Sequence, residues 1–137
     1  MISEHAAAVL GLLRTAAAAV PPLKVYPLPD GTVPSGLQPP YVRVYIAVER
    51  PEAGDMGGAS TQAVCRVYLH QIGANDDAAR SVADVCADAL LDVTPTVAGR
   101  VCWPIYHEAQ QPPQRQETAG PMLIDQVDVY TYQSAPA

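Results

Sequence analysis

The residues that could do chemistry are few and far apart in the sequence. The three histidines are His5, His70 and His107, and His107 with Glu108 and Cys102 is the candidate metal corner. Protein metal sites draw their Cys, His and carboxylate ligands from more than one such group, at characteristic spacings. A single group is too little, so we expect neither a metal nor a cofactor.

Acidic residues recur in the segment that follows residue 75. Asp77, Asp84, Asp88 and Asp92 fall on the side of a predicted helix opposite its apolar stripe. This placement favours a solvated face or a docking surface for a basic neighbour over a general acid and base pair. The glycine-rich residues 54–58 lie between two predicted strands, without the helix N-terminus that would hold a phosphate. With no P-loop, nucleotide-binding or hydrolase motif present, we expect a protein that is not an enzyme.

Composition excludes further classes. The 137 residues carry a net charge of −6, and their basic residues are scattered, so we expect no direct nucleic-acid binding. The apolar run near the N-terminus is short and interrupted by Arg14, which argues against a membrane span or a signal peptide. Three cysteines without paired spacing, Cys65, Cys86 and Cys102, are typical of free thiols in a reducing compartment.

The elements that must position these side chains centre on residues 61–92. Residues 61–72 alternate between apolar and polar positions, which predicts a half-buried strand. Gly73 and Ala74 end this strand, and Asn75 supplies an N-cap for a helix with acids in its first turn. A link this short folds the helix back onto the sheet. The unit is therefore the predicted core, and it holds no catalytic group.

The remaining chain predicts one α+β domain over residues 1–137, with the order α-β-β-α-β-β and a mostly antiparallel sheet. The other predicted elements are an opening helix over 5–20 and strands over 41–49, 101–107 and 122–133. Two long polar loops are predicted, at 50–60 with Arg50, Asp55 and Met56, and at 108–121 with Gln111 and Arg115.

Alternation within the strands gathers aromatic residues on the side opposite the valine-rich one. This predicted face carries Tyr41, Arg43, Tyr45, Arg66, Tyr68, Tyr130 and Tyr132. Tyrosine and arginine are enriched where protein surfaces dock. The face is therefore a candidate interface, and Asp84 and Asp88 of the helix form a second candidate surface. Alternatively, the first helix covers the tyrosines and makes them the rim of a second core layer.

The whole chain resembles the tail terminator proteins of long-tailed bacteriophages, also known as minor tail or tail completion proteins. The similarity lies in element order and size. It is carried by the alanine-rich opening helix with its proline-rich sequel, the strand at 39–46, the glycine-rich loop, the strand and helix at 61–91, and the strands near 101–106 and 125–132.

This resemblance implies a homo-oligomeric ring, a hexamer, that caps the tail tube, ends its polymerisation and joins the tail to the head connector. The implied partners are the major tail tube protein and the connector or neck proteins. The implied location is the tail–neck region of the virion, after assembly in the host cytoplasm. Two alternatives stay open: a neck protein adjacent to the portal, and a small ligand-binding α+β domain.

Overall fold

Two helices and six strands make up the computed structural model, which describes residues 2–21, 23–27, 38–49, 62–116 and 123–137. In chain order the elements are α1 (Ile2–Ala18), β1 (Lys24–Pro27), β2 (Tyr41–Glu49), β3 (Ala63–Gly73), α2 (Asp76–Leu90), β4 (Arg100–Cys102), β5 (Tyr106–Gln116) and β6 (Leu123–Pro136). The chain therefore combines helix and strand as predicted, with two strands more than the predicted order contained.

The added strands are β1, at the edge of the sheet, and β5. The predicted strand over 101–107 is interrupted, since Arg100–Cys102 forms β4 and Tyr106 begins β5. The prediction of a polar loop from residue 108 is wrong as far as residue 116, because Tyr106–Gln116 pairs with β6. Gln111 and Arg115 accordingly lie in a strand. The prolines that indicated a loop are absorbed by a register shift between Gln111 and Gln114, since a bulge tolerates residues that cannot donate to the ladder. Residues 117–121 of the predicted loop lie outside the described residues.

The six strands form one sheet in the order β1-β2-β3-β6-β4, and β5 pairs with β6 on the same side as β4. Only β1 and β2 run parallel, and the other described pairs are antiparallel. The sheet is therefore mostly antiparallel, as the sequence predicted.

Both helices pack on the same side of this sheet, which we call the inner face; the opposite side is the outer face. The core between helices and sheet consists of buried apolar side chains from α1, α2, β2, β3 and β6, among them Val9, Leu13, Val44, Val67, Leu69, Val82, Cys86 and Leu90. Each large apolar side chain buried in this way contributes about 1.5–3 kcal/mol. The alternative prediction was that α1 covers the tyrosine-bearing face. It is wrong for the tyrosines of the outer face, because α1 packs on the inner face.

The junction of β3 and α2 is built as the sequence predicted. The Asn75 side chain accepts a hydrogen bond from the Ala78 amide at 2.8 Å and caps the helix. Gly73 allows the close approach, because a Cβ atom at this position would lie 2.3 Å from the Ala79 nitrogen. This contact fixes α2 against the end of its own strand.

A buried polar contact holds the start of α1. His5 is fully buried, its Nε2 atom lies 2.8 Å from the Ser134 hydroxyl oxygen, and its ring stacks on Tyr132. The Arg100 Nε atom donates to the same hydroxyl at 2.9 Å. The first turn of α1 is therefore tied to the end of the last strand.

Among the described helices, none has the length and hydropathy needed to cross a membrane.

Candidate assembly surface

Rows of paired residues define the outer face. Tyr45 pairs with Tyr68, and Tyr68 with Val129. The next rows along the strands contain Arg43 and His70, and Ala47 and Arg66. Because directly paired residues project to the same side of a sheet, these side chains share one face. The predicted interface residues of β2 and β3 therefore lie together.

Two tyrosines form the exposed centre of this face. Tyr45 is 46% exposed, and its ring centroid lies 5.7 Å from that of the partly buried Tyr68. Tyr41 contributes little accessible area because it is buried and packs edge-on against Tyr26. Its burial raises the pKa of the Tyr41 hydroxyl. The accessible aromatic area of β2 and β3 thus comes from Tyr45 and Tyr68.

Further exposed apolar residues extend toward the β4 and β5 edge. Val101, Trp103 and Tyr106 are 51%, 50% and 47% exposed. Tyr106 pairs with Thr131 in the row that contains Arg66, so it continues the outer face. The sequence analysis missed these three residues, although the only tryptophan of the chain, in a predicted short strand beside a proline, was an available signal.

Arg66 is held by carboxylates of its own chain. Its guanidinium group donates to Glu49 at 2.5 Å and to Glu108 at 3.3 Å. The pKa of Arg66 is raised, mainly by the hydrogen bond to Glu49. Glu108 occupies the position of a register shift in β5 and also accepts a hydrogen bond from the Thr131 hydroxyl. The cluster joins β2, β3, β5 and β6 across the outer face.

Arg43 differs from Arg66 in its hydrogen bonding. Its Nε atom is buried, and no hydrogen-bond acceptor lies within reach of it in the described part of the chain. A buried donor without an acceptor costs about 1–3 kcal/mol. The neighbouring His70 already contacts the Asp125 carboxylate at 3.0 Å, and Lys24 lies exposed on the adjoining strand. This corner of the outer face therefore holds two cationic side chains, Arg43 and Lys24, beside one carboxylate, and it is incompletely hydrogen-bonded.

The prediction that Tyr130 and Tyr132 belong to the same face is wrong. Their partners on β3 are Val67 and Cys65, which belong to the core, so both tyrosines project to the inner face. Tyr130 is 3% exposed and Tyr132 is 0% exposed. Burial raises the pKa of both hydroxyls. The predicted match of β6 to its neighbours was one residue out of phase, which reverses the face of every side chain.

The inner face also holds a polar network that was not predicted. Asp128 is almost fully buried, and its carboxylate accepts hydrogen bonds from Gln71 at 2.7 Å and Gln126 at 3.4 Å. The His107 Nε2 atom lies 2.9 Å from the same carboxylate. The signal available in the sequence was Gln71, a polar residue on the apolar side of the alternating strand β3. The network attaches β5 to the sheet on the helix side.

The histidines are distributed over both faces. His70 pairs with Arg43 on the outer face, whereas His107 pairs with Tyr130 on the inner face. The two side chains therefore do not line one pocket. Among the described residues, no group of three His, Cys, Asp or Glu side chains could hold a metal ion.

The second predicted surface lies on the exposed side of α2. Asp84 and Asp88 are exposed one turn apart and have no hydrogen bond or ion pair with any described residue, whereas Asp77 contacts Arg80 at 3.3 Å. Asp84 borders a groove of about 550 Å³ between α2 and β5. The predicted loop residues Arg50, Asp55 and Met56 lie outside the described residues. Gln111 and Arg115 are exposed on β5.

Comparison with known proteins identifies the fold. The chain is similar to a protein chain in the virion of a native gene transfer agent particle, with 21% sequence identity and a TM-score of 0.63, over 94% of this chain and 92% of that chain. A second solved chain, whose description gives no function, has 20% identity and a TM-score of 0.62, over 100% of this chain and 99% of that one. Neither a protein-family model nor a curated protein sequence matches. At this identity the likeness shows a shared fold.

Proposed function

We propose that this protein is a non-enzymatic structural component of a phage-like virion, and that it forms a ring that caps the tail tube and joins the tail to the head. The observation that carries the proposal is the shared fold with a virion chain over nearly the full length of both proteins. The resemblance of the sequence to tail terminator proteins supplies the finer position. In this role the protein ends tube polymerisation by covering the last layer of tube subunits.

The two candidate surfaces support assembly into a ring. A closed ring of identical subunits needs two different surfaces on each copy, one that meets the preceding subunit and one that meets the next. The outer face carries Tyr45 and Tyr68, and α2 presents Asp84 and Asp88 on the other side of the sheet. The surfaces differ in residue type, charge and position, as heterologous contacts require.

The β5 strand supports contact with further partners. Residues 106–115 are exposed at every position, and among the described strands β5 pairs only with β6. An edge strand without cover offers unpaired backbone groups for a partner chain. We expect β5 to face the tube or the head connector in the assembled particle.

The test is the state of the purified chain, alone and with tail tube protein. Native mass spectrometry and light scattering should show a ring, of six subunits on the strength of the resemblance, and electron microscopy should show it at the ends of tubes. A chain that stays monomeric and never binds tube ends would overturn the proposal. Gold labelling that places the chain next to the portal and away from the tube would instead favour a neck protein.

Substitutions on the outer face separate assembly from folding. Tyr68→Ala and Arg66→Ala should weaken ring formation more than they lower the free energy of unfolding, since exposed ion pairs such as those of Arg66 contribute only about 0–1 kcal/mol to folding. Equal losses in assembly and in urea stability would place these two residues in the fold and not in the interface.

A further inference from the structure

We infer that Arg43 is the receptor for a carboxylate of a second copy of this chain, supplied by Asp84 and Asp88 of the neighbouring α2. The inference rests on the proposed ring and names the two surfaces that meet within it. The outer face of one subunit would contact the acidic side of α2 of the next.

The unmet hydrogen bond of Arg43 is the first observation. Its Nε donor is buried without an acceptor in the described part of the chain, and the rest of the half-buried side chain, which a neighbour can reach, makes no hydrogen bond or ion pair with a described residue. The other arginine of the outer face, Arg66, already binds Glu49 and Glu108. Arg43 is therefore the outer-face guanidinium group with unused bonding capacity among the described residues. Such a group binds a carboxylate more strongly than a neutral acceptor.

The charges of the two surfaces indicate which part of a neighbouring copy binds at Arg43. Lys24 pairs with Tyr41, two residues from Arg43 on the same face, so this corner holds two positive charges against the one carboxylate of Asp125 and attracts an acidic surface. The described face of α2 offers two carboxylates on successive turns, Asp84 and Asp88, that no described side chain of the same copy neutralises. Asp84 is also accessible from the groove between α2 and β5. Opposite charges on different surfaces of one chain favour a head-to-tail contact between copies.

The exposed tyrosines would add a second interaction to this contact, beside the ion pair. Tyr45 follows Arg43 on the same face of β2, and its ring contacts Tyr68 on β3. A neighbour that brings Asp84 to Arg43 would cover these rings and exclude water from the ion pair. Exclusion of water strengthens an interaction between charges.

The experiment uses two full-length variants, Arg43→Glu and the double variant Asp84→Arg with Asp88→Arg. Each reverses the charge of one surface, so each alone should assemble at least about 30-fold more weakly than the wild type. In an equimolar mixture, the outer face of the first variant, now acidic, meets the α2 surface of the second, now basic, and the remaining contacts are wild-type. Native mass spectrometry should then show oligomers that contain both variants in equal numbers.

Arg14→Glu is the matched control, because it makes the same charge change at an exposed position of α1 and should assemble like the wild type. If the wild type forms rings and Arg43→Glu forms them equally well, the inference is overturned while the proposed function stands. If both variants fail alone and the mixture also fails, the pairing of these surfaces is overturned. A wild-type chain that never oligomerises would remove both the ring and this contact.

Discussion

Tyr45 and Tyr132 are the same residue type in opposite environments. Tyr45 lies on the outer face with nearly half its surface exposed. Tyr132 lies on the inner face of β6, where it is fully buried in the core and its ring stacks on His5. The difference follows from strand register alone, since one step along a strand changes the face. Substitution therefore has different consequences at the two positions.

Tyr132→Ala should lower the free energy of unfolding by about 3–5 kcal/mol, because it leaves a large cavity in the core. Tyr45→Ala should lower it by less than about 1 kcal/mol, since only the contact with the Tyr68 ring is lost. Urea denaturation followed by circular dichroism measures both. Similar losses for the two variants would show that the assignment of faces is incorrect.

At the scale of elements, the contact between β3 and α2 sets where the helix lies. Gly73 is buried at the end of β3, and the backbone of Ala78 and Ala79 fills the space where a side chain would stand. Backbone atoms cannot rotate away as a side chain can. The position therefore requires glycine for reasons of space.

Gly73→Ala should destabilise the protein by about 1–3 kcal/mol or more, because the methyl group forces α2 away from the sheet. Gly11→Ala is the matched control. Gly11 is exposed within α1 with open space around it, so alanine should stabilise the helix by about 0.5–1 kcal/mol. Thermal melting of the two variants should show shifts of opposite sign, and a neutral Gly73→Ala would contradict the close approach.

The attachment of β5 depends on the Asp128 network. Without the carboxylate, the buried Gln71 amide loses one acceptor and His107 loses its partner. Asp128→Ala should cost about 2–4 kcal/mol for that reason. His107→Ala removes the bond from β5 to Asp128 and the edge contact of the His107 ring with Tyr130, and it leaves the bonds of Gln71 in place.

Hydrogen exchange measured by mass spectrometry can follow β5 directly. In His107→Ala the amides of residues 106–116 should exchange faster than in the wild type, while those of β3 stay protected. Gln110→Ala is the control, because Gln110 is an exposed neighbour on the same strand. Faster exchange in β3 as well would indicate general unfolding, and unchanged exchange in β5 would show that His107 does not hold the strand.

At the scale of the whole molecule, buried acids limit stability at alkaline pH. Burial raises the pKa of Cys65 to about 11 and that of Cys86 to about 12, from an ordinary value of 9.0. Above pH 9 the unfolded chain releases these protons while the folded chain retains them. The folded state then binds more protons than the unfolded state, so its stability falls as the pH rises.

The contribution of these thiols to the free energy of unfolding should therefore be constant up to about pH 8.5 and decline between about pH 9 and 12, by on the order of 3 kcal/mol for each buried thiol. Tyr130 and Tyr132, whose pKa values are also raised by burial, add to the decline at the upper end. Urea titrations at a series of pH values measure the effect. Cys86→Ala should reduce the slope above pH 9, and an unchanged slope would mean that this thiol does not contribute.

The sequence by itself determined the elements whose signals are local. The alternation of β2 and β3, the short link through Gly73, the Asn75 cap and the amphipathic α2 each follow from residues close together in the chain. Local patterns also placed Arg43, Tyr45, Arg66 and Tyr68 on one side, because β2 and β3 alternate in phase. The two-residue alternation within each strand was enough to assign these residues to one face.

The tertiary structure decided what depends on a partner strand. Alternation in β6 separates Tyr130 and Tyr132 from Val127 and Val129, but only the register with β3 decides which set meets the helices. Residues 106–116 contain two prolines and no apolar alternation, and they form a strand because the free edge of β6 supplies their hydrogen bonds. Pairing across the sheet joins residues distant in sequence, so no local pattern contains it.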